Sequence, residues 1–438
     1  MTMINAFDAG TLHQMPPAER ALIERRQTLL GPAYRLFYNE PVHVVRGEGV
    51  WLHGPNGERY LDVYNNVASV GHCHPHVVAA MARQAGLLNT HTRYVTDLIL
   101  DYAEKLLGYF PPELSQVMFT CTGSEANDLA VRVARSVTGG TGIIVTSLAY
   151  HGVTIAVSEM SPSLGGGITL GKHVRTIPAP DQYRNGPAVG EAMAAAIHEA
   201  VASMRADGIE PAALLVDTIF SSDGVFADPA GFLQPAAAAI RAEGGLFIAD
   251  EVQAGFGRTG AAMWGFMRHG VTPDLVTMGK PMGNGYPVAA MVARPELLAE
   301  FGARTRYFNT FGGNPVACAT ARAVLEVIEN EALMANAQAV GTILQDGLQA
   351  LAQRYEKIGD VRGAGLFIGL ELIQDRATRA PDGPFTAKVV NALRQHRILI
   401  SASGPHANVL KIRPPLVFGP EHAEQFLDGL DTVLRATA

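Results

Sequence analysis

A chain of 438 residues, 48% of them hydrophobic, can bury one large core and a smaller second one, and is too long for a minimal single module. A net charge of -7 and a pI near 6.1 supply no basic field for nucleic acid. The three cysteines, Cys73, Cys121 and Cys318, make no disulfide framework and no CxxC pair, no apolar run reaches the roughly 18 residues of a membrane span, and MTMINAFDAG lacks the features of a signal peptide. The expectation is a cytoplasmic protein whose partners are small molecules, not nucleic acid or membrane.

In chain order, MPPAERALIERRQTLLG predicts an amphipathic helical arm with few apolar side chains, which needs a partner surface. Between Pro41 and Val63 the short segments VHVVRG, VWLHG and RYLDV, separated by Gly-Pro-Asn-Gly, predict antiparallel strands with a tight turn. From about 75 to 300 the runs VMFTC, GIIVTS, ALLVDTIF, GLFIADE, DLVTMGK and VAAMVA alternate with helical stretches. Short, nearly continuous apolar runs between helices indicate a parallel sheet covered on both faces, a doubly wound α/β domain. After the long helix begun by NPVACATARAVLEVIE, a βαβ-like tail containing VRGAGLFIGLELI and NVLKIRPPLVF predicts a smaller α+β domain. The expected division is 1–63, an arm and strands belonging to the small domain, then 64–315, the large sheet domain, and 316–438, the C-terminal small domain.

Ligands of an open α/β sheet bind outside the carboxyl ends of its strands. Reading each apolar run to its end places Thr122-Gly123-Ser124, Tyr150-His151, Asp217, Asp250-Glu251 and Lys280 on one rim. Gly123 and Ser124 open a helix whose apolar positions are Ala126, Leu129, Ala130 and Val133; the free N–H groups and dipole there suit a phosphate, and an ordinary N-cap with Ser124 as the cap is the plainer reading. Asp250 closes an apolar strand, where a carboxylate needs a strong partner: a structural ion pair with Arg258, or a protonated ring nitrogen. Lys280, among Met, Gly and Pro, loses solvation and becomes a usable nucleophile or base, unless it snorkels to the surface. Phosphate cradle, aspartate, aromatic and lysine together match the needs of pyridoxal 5'-phosphate.

The segments GHCHP (71–75), FTCTGSEAND (119–128), AYHG (149–152), ADEVQAGFGRTG (249–260), TMGKPMGNGYPVAA (277–290) and FNTFGGNPVAC (308–318) resemble the signature of class III, fold type I, pyridoxal-phosphate-dependent aminotransferases over about residues 35 to 430. NNVASVGHCHP, LNTHTRYVTD and GDVRGAGLFIGLELI resemble the alanine-glyoxylate aminotransferase 2-like branch, which includes phospho-lyases acting on phosphoethanolamine or phosphohydroxylysine. The resemblance implies that Lys280 forms the Schiff base and shuttles the proton, Asp250 pairs with the pyridine nitrogen, Tyr150 stacks on the ring and Gln253 lies near the phenolic oxygen. It implies phosphate contacts from Gly123 and Ser124, joined by the partner subunit's Thr310, in a homodimer whose sites are completed across the interface. Two positions depart from the family pattern. Asp217 stands where many members carry Glu in a VEP motif, and Lys411, with Arg413 two residues on, stands where many carry an arginine for the substrate carboxylate. Residues two apart in a strand share a face, and a lysine is a point charge where arginine is a fork, so this basic pair also suits a phosphate-bearing amine.

His72, Cys73, His74 and His76 are packed too closely for most of them to converge on one ion, so no metal site is expected. GGITLGK at 166–172 imitates a phosphate-binding loop, but His173 stands where Ser or Thr would be needed, and a mobile loop is expected. Trp264 and Phe266 are expected to serve packing. Three functions follow: an aminotransferase joining amine and keto acid substrates by ping-pong chemistry, a phospho-lyase using the same cofactor, and, from another class, a nucleotide- or metal-binding protein without Schiff-base chemistry.

Overall fold

The computed structural model of the protein describes residues 5–437; Met1 to Ile4 and Ala438, and with them the first residues of the segment read for a signal peptide, lie outside the described residues. The apolar runs of the middle of the chain form one seven-stranded sheet from β4 (Gln116–Thr120), β5 (Gly142–Thr146), β6 (Val174–Ile177), β7 (Pro211–Asp217), β8 (Leu246–Asp250), β9 (Leu275–Met278) and β10 (Ala289–Ala293), preceded in the chain by β1 (Arg46–Glu48), β2 (Trp51–His53) and β3 (Arg59–Asp62). Its strand order is β4-β10-β9-β8-β7-β5-β6. Neighbours from β9 to β6 are parallel, whereas β10, the run VAAMVA, is antiparallel to both β9 and β4. Every residue of β5, β9 and β10 is buried, as a sheet covered on both faces requires.

The helix Gly123–Thr138 lies on this sheet through Ala126, Leu129, Ala130, Val133 and Ala134, all buried. The spacing is helical, and the alanines at 126, 130 and 134 let the backbone approach the strands closely.

The tail is not βαβ. VRGAGLFIGLELI is a hairpin, β11 (Ile358–Ala364) and β12 (Phe367–Leu372). After β13 (Ile398–Leu399) come β14 (Ser401–Ser403) and β15 (Val409–Ile412), and the sheet β11-β12-β15-β14 is antiparallel throughout. Glycine turns the chain in the middle of the run: Gly363 and Gly365 have φ of +134° and +55°, values that side chains resist. The N-terminal strands β1, β2 and β3 are antiparallel, and β3 pairs in parallel with β13. VHVVRG is strand only from Arg46, with Val44 and Val45 exposed. The helical arm runs from Pro17 to Leu30 and buries only Ile23.

Candidate active site

The five predicted strand ends do meet. Thr122, Gly123, Ser124, Tyr150, His151, Asp217, Asp250, Gln253 and Lys280 line one cavity of about 190 Å³. The parallel register explains part of this: Asp217 on β7 stands directly beside Asp250 on β8, and Asp250 beside Thr277 on β9.

At the phosphate end the helix cap is Thr122, not Ser124. The Thr122 hydroxyl accepts the Glu125 N–H at 3.2 Å, and the Glu125 carboxylate accepts the N–H groups of Thr122 and Cys121 at 3.0 and 2.7 Å. The capping box satisfies the donors around it but leaves the N–H groups of Gly123 and Ser124 without a hydrogen bond among the described residues. Ser124 Oγ instead accepts the N–H of Val153 at 3.1 Å. Three glycines keep this corner open. A Cβ on Gly279 would stand 3.2 Å from Gly123 N, one on Gly123 3.0 Å from Val252, and one on Gly152 would collide with Ser124 Oγ.

Asp250 is buried, and Arg258 is not its partner. Arg258 donates to the backbone carbonyls of Leu366 and Pro414, and burial pushes its pKa down to about 9, with Arg413 adding to the effect. Asp250 Oδ2 accepts from Asn127 Nδ2 at 2.9 Å and bonds His151 Nδ1 at 2.7 Å, while Oδ1 accepts the N–H of Val252 at 3.0 Å. Asn127 also donates to the His151 carbonyl and accepts from the Thr277 hydroxyl at 2.6 Å, so one amide ties the helix, the loop after β5, β8 and β9 to the same carboxylate. Sequence reasoning assigned Asn127 no role and placed His151 only on the rim. The signal was an asparagine in helical register with Ala130 and Ala134, on the stripe that must be buried.

Lys280 follows β9 and opens the short 3-10 turn Lys280–Gly283. The next residue, Asn284, holds φ +49° and locks the turn to the chain at 70–71, donating to the Gly71 carbonyl at 2.8 Å and accepting the Val70 N–H at 3.0 Å. The Lys280 amine lies 5.7 Å from the ring centre of Tyr150. Desolvation lowers its pKa, as does Arg413, against the opposing pull of Asp250 and Asp217. A larger share of neutral amine results.

The remaining predicted residues divide. Asp217 lines the cavity, but its carboxylate is engaged in its own turn, accepting the N–H groups of Ile219 and Ser221 and the Ser221 hydroxyl. Burial raises its pKa and the neighbouring Asp250 raises it further. Gln253 accepts at one oxygen from both Asn66 Nδ2 and Arg413 Nη1, which leaves its own amide N–H groups free of bonds to described residues. Arg413 also donates to the Tyr64 carbonyl at 3.0 Å and rests over the Tyr64 ring at 4.8 Å. Lys411 is buried with no hydrogen bond or ion pair from its amine among the described residues; desolvation and Arg413 hold its pKa well below the usual lysine value. Thr310 is exposed and lies outside the cavity lining. His72, His74 and His76 turn to three separate carboxylates, Asp62, Glu331 and Glu326. GGITLGK leads into β6 and not into a helix, so it lacks the helix N-terminus of a phosphate loop. Trp264 and Phe266 are fully buried and stack with Phe110.

A mostly parallel sheet with a lysine, an aspartate, an aromatic and a bare helix N-terminus at its carboxyl edge defines a fold type I pyridoxal-phosphate enzyme. The residues present fit that group: two free N–H donors for the phosphate, a buried carboxylate whose partners are an amide, an imidazole and a backbone N–H, and a desolvated amine. The family model "Aminotransferase class-III" matches residues 37–434, and the chain belongs to this family of pyridoxal-phosphate-dependent aminotransferases. It is 43% identical over 428 residues to an alanine–glyoxylate aminotransferase 2-like protein of Drosophila melanogaster, covering 94% of this chain and 87% of that one. Among solved structures it is similar to a phospholyase from Arthrobacter in complex with phosphoethanolamine, at 44% identity and TM-score 0.92 over 95% of this chain and 100% of that one. An amine transaminase from an uncultivated Pseudomonas species, solved in the PLP-bound form, matches at 28% identity and TM-score 0.81 over 91% and 96%.

Proposed function

We propose that this aminotransferase takes small primary amines carrying an anionic group at the far end, passes the amino group to a keto acid, and uses Lys280 as both the covalent anchor and the proton carrier. One observation supports this above all: Lys280 lines the 190 Å³ cavity and also a second cavity of about 520 Å³, whose lining includes Arg413. An amine entering the larger space meets both Lys280 and the buried guanidinium of Arg413. When bound, pyridoxal phosphate supplies an electron sink for the bond broken next to the amine nitrogen.

Gly123 and Ser124 would hold its phosphate, joined by the partner subunit's Thr310 in a homodimer, Asp250 would hold the ring nitrogen, Tyr150 the ring face and Gln253, through its free amide, the phenolic oxygen. Lys280 Nζ, its pKa lowered by desolvation, would take the proton from the carbon bearing the substrate amine and return it elsewhere; water would then release the deaminated substrate as a carbonyl compound, and the keto acid would take up the amino group by the reverse sequence. Lys411 does not line the larger cavity, and desolvation favours the neutral form of its amine. The three cysteines are free, which supports a cytoplasmic setting. No described helix is long and apolar enough to cross a membrane.

A second reading is favoured by the buried Arg413 guanidinium on the larger cavity and by the likeness to the Arthrobacter phospholyase. If phosphate leaves the neighbouring carbon before Lys280 returns its proton, phosphoethanolamine and water yield acetaldehyde, ammonia and phosphate. The assay supplies phosphoethanolamine with and without pyruvate. Turnover that requires pyruvate and forms alanine supports transfer; steady phosphate release without a keto acid refutes it in favour of elimination.

A further inference from the structure

Arg35 to Tyr38, together with Pro41 and Val42, form part of the wall of the larger cavity. This part belongs to none of the named strands, so something else must hold it. Residues 5–7 do so. The Phe7 N–H donates to the Leu36 carbonyl at 2.9 Å, the Tyr38 N–H donates to the Asn5 carbonyl at 2.6 Å, and Ala6 forms an antiparallel bridge with Phe37. Asn5 is only 1% exposed, and its Oδ1 accepts the Ser401 hydroxyl at 3.1 Å. Tyr38 adds a bond from its hydroxyl to the Ile400 carbonyl at 3.0 Å. The wall is therefore clamped between the N-terminal segment and the start of β14.

The clamp reaches Arg413 through aromatic rings. Phe37 meets Tyr64 edge-on at 5.8 Å, and the Arg413 guanidinium rests over the same Tyr64 ring. An edge-on ring pair has a preferred geometry, so a shift of Phe37 moves the surface on which Arg413 rests.

We propose that Asn5–Phe7 is a specificity-determining strap: by pairing with Leu36–Tyr38 it sets the width of the cavity beside Lys280 and the position of Arg413, selecting small anionic amines over bulky ones. This rests on the reading of the larger cavity as the substrate's. The hydrogen bonds of the strap go to Leu36, Tyr38 and Ser401, none of which lines the cofactor cavity, so its loss is expected to change amine selection more than cofactor affinity.

The test uses the pyridoxal-phosphate-loaded full chain with Phe7→Pro, which removes the donor to Leu36, and Asn5→Ala, which removes the acceptor for Ser401. Dissociation constants for phosphoethanolamine and for 1-phenylethylamine are read from the change in cofactor absorbance, beside cofactor affinity and apparent Tm. Phosphoethanolamine binding is expected to weaken about tenfold in Phe7→Pro and less in Asn5→Ala, while 1-phenylethylamine binds more tightly and cofactor affinity stays at the parent value. Parent-like constants for both amines in both variants would overturn the strap, as would loss of cofactor affinity in step with amine affinity, since residues 5–7 would then be general scaffold. A parent enzyme that binds neither amine would instead defeat the substrate-cavity reading, and the strap with it.

Discussion

Asn127→Ala tests whether one amide organises the cofactor end of the site. The change removes two donated bonds, to the His151 carbonyl at 2.8 Å and to Asp250 at 2.9 Å, and the acceptor of the Thr277 hydroxyl. Thr277 is fully buried and His151 nearly so, so their orphaned groups have no water to turn to. At about 1 to 3 kcal/mol for each buried group left unpaired, and a similar amount for the bond to the carboxylate, the loss comes to roughly 3 to 6 kcal/mol after partial relaxation. For a chain of this length about 1 kcal/mol moves Tm by about 1 °C, so apparent Tm should fall by roughly 3 to 6 °C at a fixed scan rate. Asp250 then keeps only His151 and the Val252 N–H, and the dissociation constant for pyridoxal phosphate should rise about tenfold, the worth of one charge-assisted hydrogen bond. Asn127→Asp should fare worse, because it sets a second carboxylate against Asp250. An Asn127→Ala protein melting within about 1 °C of the parent, with unchanged cofactor affinity, would refute the reasoning.

Lys280→Ala should abolish turnover and the borohydride-reducible link to the cofactor while the apoprotein melts at or above the parent temperature, since a desolvated amine is removed; surviving turnover would exclude Lys280 as the anchor. Lys411 carries the pH prediction. Its folded pKa lies well below the ordinary lysine value, chiefly through desolvation, so between the two values the unfolded chain binds the extra proton and stability rises with pH. Apoprotein Tm should therefore climb from neutral pH toward the ordinary lysine range near 10.5, and Lys411→Met should flatten that climb and raise Tm at neutral pH; a profile unchanged by the substitution would show that the buried amine is not its source.

The main chemistry was legible in the sequence because it is carried by local signals. Apolar runs ending in Asp250 and Lys280, and a small-residue turn opening the helix at Gly123, name strand ends, and an open α/β sheet brings strand ends to one edge whatever their spacing in the chain. Reading VRGAGLFIGLELI as part of a βαβ-like tail failed because two short strands and a glycine turn have the same apolar content as one longer run.

What only the tertiary structure decided is the choice of partner. Residues whose chemistry was plain, a buried aspartate and a buried arginine, proved to serve different neighbours: Asp250 turns to Asn127 and His151, and Arg258 turns to the carbonyls of Leu366 and Pro414. Ser124, read as a cap, yields that role to Thr122 because the cap is set by which hydroxyl reaches the third helical N–H. The strap at residues 5–7 has no sequence mark, since backbone hydrogen bonds to Leu36 and Tyr38 use groups that almost every residue possesses. The sequence alone determined that Gly123, Asp250 and Lys280 stand at strand ends on one edge of the sheet, but not Asn127 beside them. Their pairing was decided by the three-dimensional packing, because hydrogen bonds are satisfied by distance and direction between elements far apart in the chain.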